Sequence, residues 1–108
     1  MSYNVVVTSY FKRQSKRLIK KYASLANEIV ELISTLEKHP KQGDNLGNSC
    51  YKIRLSIAAK GKGKSGGARI ITHVQIAQYK VYLLAIYDKS ECTNLSSTEL
   101  DELLRSIY

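Results

Sequence analysis

Lys52 and Arg54 alternate along Tyr51-Lys52-Ile53-Arg54-Leu55, a run whose period of two marks a β-strand. Residues two apart on a strand share a face, with side chains roughly 7 Å apart. Arg69 opens a later apolar run and joins the pair if the strand register sets it opposite. Arginine is permanently charged and forked, so it can hold a phosphate and stabilise the added charge of a pentacoordinate phosphorane. A lysine among other cations gives up its proton more readily, which suits it to proton transfer near neutral pH. The plainer alternative is a basic face that only binds an anion or is solvated.

The surroundings favour an anionic partner. Between Asp44 and Asp88 there is no acidic residue, while Lys52, Arg54, Lys60, Lys62, Lys64, Arg69 and Lys80 all fall in that gap. Residues 1–27 repeat the bias, with Lys12, Arg13, Lys16, Arg17, Lys20 and Lys21 against no carboxylate. The last 21 residues reverse it: Asp88, Glu91, Glu99, Asp101 and Glu102 against Lys89 and Arg105. Of the formal net charge of +8, therefore, the arrangement matters more than the size. Two acid-free basic segments in one small chain point to a nucleic-acid backbone.

Other candidates sort by context. Lys60, Lys62 and Lys64 lie in a glycine-rich hairpin tip, read as a cationic loop that touches RNA; the alternative is a solubilising turn. Gly63-Lys64-Ser65 is not a nucleotide-binding P-loop, because Ala58 stands where that pattern needs glycine and a strand follows where it needs a helix. Tyr87-Asp88-Lys89 closes the last strand, where Lys89 extends the cationic face and Tyr87 can stack on a base or donate a proton. His73 follows Arg69 and Ile71 on one side of its strand, but a lone histidine is more often a packed residue, and His39 beside Pro40 reads as a helix end. Cys50 and Cys92 stand alone, which fits reduced thiols in the cytoplasm and gives no zinc spacing. No metal or cofactor is expected.

The elements that must carry these residues are legible from periodicity. Tyr3–Thr8 reads as a short strand. Thr8 or Ser9 caps a helix through about Tyr22, and Ser24 caps a second, with Leu25, Ile29, Leu32, Ile33 and Leu36 on its apolar side to about Lys38. His39-Pro40 stops it, and Pro40–Asn48 is expected to be a loop. Three strands follow, at 51–57, 68–74 and 81–87, as an antiparallel meander. Ser96 with Glu99 forms a capping box, and Leu95 with Leu100 a staple, so a last helix should run from Ser97 to about Ile107. The order is β-α-α-β-β-β-α, an α+β fold with a helical hairpin packed on one sheet face and the other face left to Lys52 and Arg54. At 108 residues and 44% hydrophobic content this is one domain, spanning 1–108, with no run of ~18 apolar residues to cross a membrane and no secretory leader.

With that order of elements, Tyr51-Lys52-Ile53-Arg54-Leu55, Gly63-Lys64-Ser65-Gly66-Gly67-Ala68-Arg69-Ile70-Ile71, Tyr87-Asp88-Lys89 and Asn94-Leu95-Ser96 together resemble the RelE/ParE toxin superfamily, closest to its RelE/HigB-like branch. The likeness covers nearly the whole chain. It implies a RelE-like fold and a bacterial type II toxin, an mRNA interferase that cuts messenger RNA in the ribosomal A site and is neutralised by a bound antitoxin protein. It further implies partners in the ribosome, in mRNA and, through the antitoxin complex, in operator DNA. By position Lys52 and Arg54 match the basic pair of the family's second strand, one for proton transfer and one for charge stabilisation. Arg69 matches the arginine that holds the scissile phosphate, and Lys89 a basic position after the last strand. The tyrosine that RelE places in its C-terminal segment falls near Ser96, which cannot stack. The alternative is a ParE-like toxin that poisons gyrase by protein contact and cleaves nothing.

Overall fold

A computed structural model describes residues 2–61, 66–91 and 94–108. The chain opens with strand β1 (Asn4–Val7), then helices α1 (Ser9–Lys21) and α2 (Leu25–Lys38). Four strands follow: β2 (Asp44–Gly47), β3 (Cys50–Leu55), β4 (Ala68–Gln75) and β5 (Lys80–Asp88), before helix α3 (Ser97–Arg105). The helical hairpin forms where the apolar spacing puts it. Thr8 caps α1 by accepting the Phe11 N–H, and its hydroxyl donates to the Leu83 carbonyl at 2.7 Å, tying the helix start to β5. Phe11 and Leu18 of α1 and Leu25, Ile29, Leu32 and Leu36 of α2 are buried. Ser24 departs from expectation. Its hydroxyl does not cap α2 but contacts Glu28 and accepts the Ala59 N–H, fastening the helix to a 3-10 turn at Ala58–Lys60.

The sheet order is β1-β5-β4-β3-β2. β3, β4 and β5 form the expected antiparallel meander, while β1 runs parallel beside β5 and makes the sheet mixed. The stretch read as a loop contains β2, an edge strand paired with β3 through Asp44↔Lys52 and Asn45↔Tyr51. Its tight turn works because Asn48 and Ser49 both adopt left-handed backbone (φ 53 and 59), the geometry of a two-residue hairpin connection. Gly43 is needed just before it. At φ +96 its missing Cβ leaves room for the Lys52 carbonyl, which any side chain would strike.

Each sheet face has its own apolar cluster. On the hairpin side, Ile53, Ile70, Val74, Val81, Leu83 and Ile86 pack against α1 and α2. On the other side, Cys50, Ile71, Leu84, Ala85 and Tyr87 meet Leu95, Leu100, Leu103 and Leu104 of the α3 segment. A register shift between Ile71 and Thr72 turns part of β5 so that both faces are filled. β4 is consequently buried along almost its whole length, as a strand covered on both faces must be. The face opposite the hairpin is thus shared between α3 and the cations of β3.

Candidate nucleic-acid interface

Strand alternation places Lys52 and Arg54 on the α3 side of β3, since Tyr51, Ile53 and Leu55 belong to the hairpin-side cluster. The register then settles which residues meet them. Arg54 is directly opposite Arg69, and Arg69 directly opposite Tyr87, giving one row across three strands. The adjacent row is Lys52, Ile71 and Ala85. Two arginines in a facing pair repel one another, an arrangement that an anion bound between them would stabilise.

The three cations differ in setting. Arg69 is only 4% exposed, with Nη1 donating to its neighbour's carbonyl, that of Ala68, at 3.2 Å. Lys52 is half-buried and its Nζ donates to Asn94 Oδ1 at 3.1 Å. Arg54 is exposed, with Nη2 3.8 Å from Asp44 Oδ2. Both side chains of that pair are more than half open to solvent, so it contributes ~0–1 kcal/mol and a phosphate can displace it. Tyr87 is buried against Ile71 and the α3 segment, so its ring is a wall of this site rather than a projecting platform. Lys89 sits in the turn after β5, its N–H donating to the Gly67 carbonyl at 3.0 Å, at the end of the sheet where Arg69 enters.

Lys60, read from the sequence as an RNA contact, is elsewhere. Its ammonium lies 2.7 Å from Asp88 Oδ1, with side chains 8% and 0% exposed. Asp88 belongs to the hairpin side, where the Tyr22 hydroxyl donates to Oδ2 at 3.0 Å and the Ser90 N–H and hydroxyl reach Oδ1 at 3.0 and 2.8 Å. Burial opposes ionisation of this carboxyl, but the bonds from Lys60, Ser90 and Tyr22 outweigh it and hold the group well below the usual carboxylate range. A buried ion pair on the wrong side of the sheet removes Lys60 from the cationic face. Lys62 and Lys64 lie outside the described residues.

His73 is also separate. It is 5% exposed, its Nε2 lies 2.6 Å from the Tyr108 hydroxyl and its Nδ1 3.5 Å from Cys50 Sγ. Burial lowers its pKa and favours the neutral ring. Burial, helped by the charge of Asp101, pushes the Cys50 thiol up to about 11, so it is no nucleophile at neutral pH. His73 stands four residues from Arg69, ~13 Å along the strand. Among the described residues no cluster of three His, Cys, Asp or Glu side chains is placed to hold a metal, and no helix is long and apolar enough to cross a membrane. Sequence reasoning gave no role to Asn94 or Asp44, which contact Lys52 and Arg54, because each contact depends on tertiary placement.

Comparisons with known proteins agree with this architecture. The family model described as the RelE toxin of the RelE/RelB toxin–antitoxin system matches residues 5–106. The fold is similar to the solved structure of the E. coli toxin RelE, a double arginine-to-alanine mutant in the free state. The TM-score is 0.63 at 17% identity, and the match covers 100% of each chain.

Proposed function

This chain belongs to the RelE toxin family, and from that premise we propose that it is a metal-independent endoribonuclease that cuts messenger RNA in the ribosomal A site. The observation that carries the reading is the row formed by Arg54 and Arg69, with Lys52 one row away on the same face. In the reaction, Lys52 takes the proton of a ribose 2′-hydroxyl. The oxygen attacks the adjacent phosphorus, the bond to the 5′-oxygen of the next nucleotide breaks, and that oxygen takes a proton from water. A 2′,3′-cyclic phosphate and a 5′-hydroxyl result. Arg54 and Arg69 oppose the charge that builds on the phosphorane, and this stabilisation is greatest in the transition state. Lys89 supplies further positive charge at the same end of the sheet.

Membership of the family implies a cognate antitoxin protein, and the cationic face is a surface that an acidic or mixed amphipathic segment would cover. Brief induction followed by primer extension on cellular messages tests the activity. Discrete cuts within codons are expected from the wild type and none from Lys52→Ala or Arg69→Ala, both checked for folding by circular dichroism. General acid–base help is worth ~10²–10⁴-fold, so residual cutting should be hard to detect. Growth arrest with intact messages and a DNA-damage response would overturn the reading in favour of a gyrase-directed toxin.

A further inference from the structure

Of the three helices, α3 is the one that burial secures least, although it covers the face that carries Lys52. None of its residues is buried, and Leu100, Leu103 and Leu104 meet the sheet only in part. A short helix held this way opens more readily than the core strands beneath it. A side-chain contact ties each end to the sheet. Ahead of the helix, Asn94 Oδ1 accepts from Lys52 Nζ at 3.1 Å. Beyond it, the Tyr108 hydroxyl lies 2.6 Å from His73 Nε2. Lys52 stands opposite Ile71, two residues before His73 on β4, so both contacts reach the same sheet face.

The second contact has the form of a latch. His73 is buried in β4, between Cys50 of β3 and Tyr82 of β5, and that burial favours its neutral ring. The ring donates to the Asn48 backbone, so its Nε2 is left to accept the Tyr108 proton. Tyr108 is 77% exposed and meets His73 edge-on, with ring centroids 5.7 Å apart at 82°. So little of the ring is covered that the hydroxyl bond, rather than burial, holds it. The tie to the helix is stiff, because Ser106 and Ile107 donate their N–H groups back to the Leu103 and Leu104 carbonyls. At the other end the Ser96–Glu99 cap, with Leu95 packed beside Leu100, fixes the residues next to Asn94. The segment from Asn94 to Tyr108 therefore moves as a short rod, and loosening one end shifts the other. We propose that the Tyr108–His73 bond latches the α3 segment onto the sheet and so lets Asn94 hold Lys52 Nζ in place. Tyr108 and Asn94 are then positioning residues for Lys52. Proton transfer needs heavy atoms within ~2.6–3.2 Å, and an amine free on its flexible four-carbon stem wanders much further. An amine and an ammonium both donate to an amide oxygen, so the Asn94 contact survives the change in protonation. The purpose given to Lys52 rests on the nuclease reading, whereas the latch does not.

The test uses Tyr108→Phe, which removes a hydroxyl from an exposed ring and leaves the core untouched, and Asn94→Ala, which removes the other tie. Hydrogen exchange in α3 and the side-chain amide NMR signals of Asn94 are measured on the full chain without RNA. In Tyr108→Phe, exchange in α3 should rise roughly 2- to 13-fold, the equivalent of one net hydrogen bond, while β4 stays protected. The Asn94 signals should shift in the same variant. Single-turnover cutting of a message on ribosomes supplies the second arm. Asn94→Ala should lower the rate constant by up to ~10²-fold, the loss that a misplacement of about 1 Å brings, with the half-saturating concentration unchanged. Tyr108→Phe should lower it less, and adding Tyr108→Phe to Asn94→Ala should cost nothing more. Unchanged α3 exchange in Tyr108→Phe, or Asn94 signals that do not move, overturns the latch. Additive losses in the double variant, or a rise in the half-saturating concentration alone, overturn the positioning of Lys52. A wild type that cuts no message removes the nuclease reading, and the exchange and NMR arm still decides the latch.

Discussion

Replacing Lys60 by methionine separates a structural lysine from an RNA-binding one. The variant keeps most of the stem and deletes the ammonium that lies 2.7 Å from the fully buried Asp88. Removing one partner of a buried ion pair costs ~3–5 kcal/mol, because the other charge stays out of water without compensation. The bonds from Tyr22 and Ser90 remain, which places the expected loss near the lower end, ~3 kcal/mol. For a domain of this size that is a fall in melting temperature of ~12–24 °C. The pH dependence sharpens the test. In the wild type the carboxyl's folded pKa is depressed, so its contribution is complete above the unfolded value of ~3.9 and fades as pH falls through the folded one. Without the ammonium, burial is opposed only by the remaining hydrogen bonds and the depression shrinks or reverses. The stability gap between parent and variant should therefore widen from pH 3 to pH 6. Urea and thermal unfolding, followed by circular dichroism in a Lys52→Ala background that permits expression, measure it. A variant that melts within ~3 °C of its parent at both pH values, yet binds RNA more weakly, would refute the reasoning.

Three further outcomes are expected. Asp44→Asn should change stability by less than ~1 kcal/mol, since its ion pair with Arg54 is long and exposed, while strengthening RNA binding by freeing that guanidinium; equilibrium binding at several salt concentrations checks it. Gly43→Ala should destabilise the protein by ~1–3 kcal/mol and reduce cutting, because a methyl there forces the backbone at Lys52 to move; denaturation and cleavage assays on one preparation show whether both effects occur. Ser96→Ala removes the hydroxyl that accepts the Glu99 N–H, leaving the backbone bond to the Glu99 carboxylate, and should cost ~0.5–2 kcal/mol, with hydrogen exchange rising first in α3 rather than in β4.

Local chemistry made some of this architecture legible and long-range pairing hid the rest. The alternation in β3 was enough to set Lys52 and Arg54 on one face, because a strand with Ile53 and Leu55 in the core has no other place for them. The capping box at Ser96 and Glu99 announced α3, since both of its hydrogen bonds join residues three apart. Arg69 was different. Its place opposite Arg54 depends on the β3–β4 register, which no local pattern states. β2 was missed because its four residues are exposed and do not alternate, and its turn uses Asn48-Ser49 in place of the more familiar Asn-Gly. Lys60 reads in sequence as part of a cationic loop that touches RNA, yet its partner is 28 residues away on the sheet's hairpin side. That α3 would share a face with the cations also required the tertiary fold.

The most direct measurement is cleavage of a message on ribosomes, with and without a 2′-deoxy substitution at the mapped site, in the presence of a metal chelator. The account predicts cutting of the ribose substrate despite the chelator, with a 2′,3′-cyclic phosphate on the upstream fragment. It predicts no cutting of the 2′-deoxy substrate. Cleavage that persists at the deoxy position would contradict it, and so would cleavage that stops when divalent metal is removed from intact ribosomal complexes.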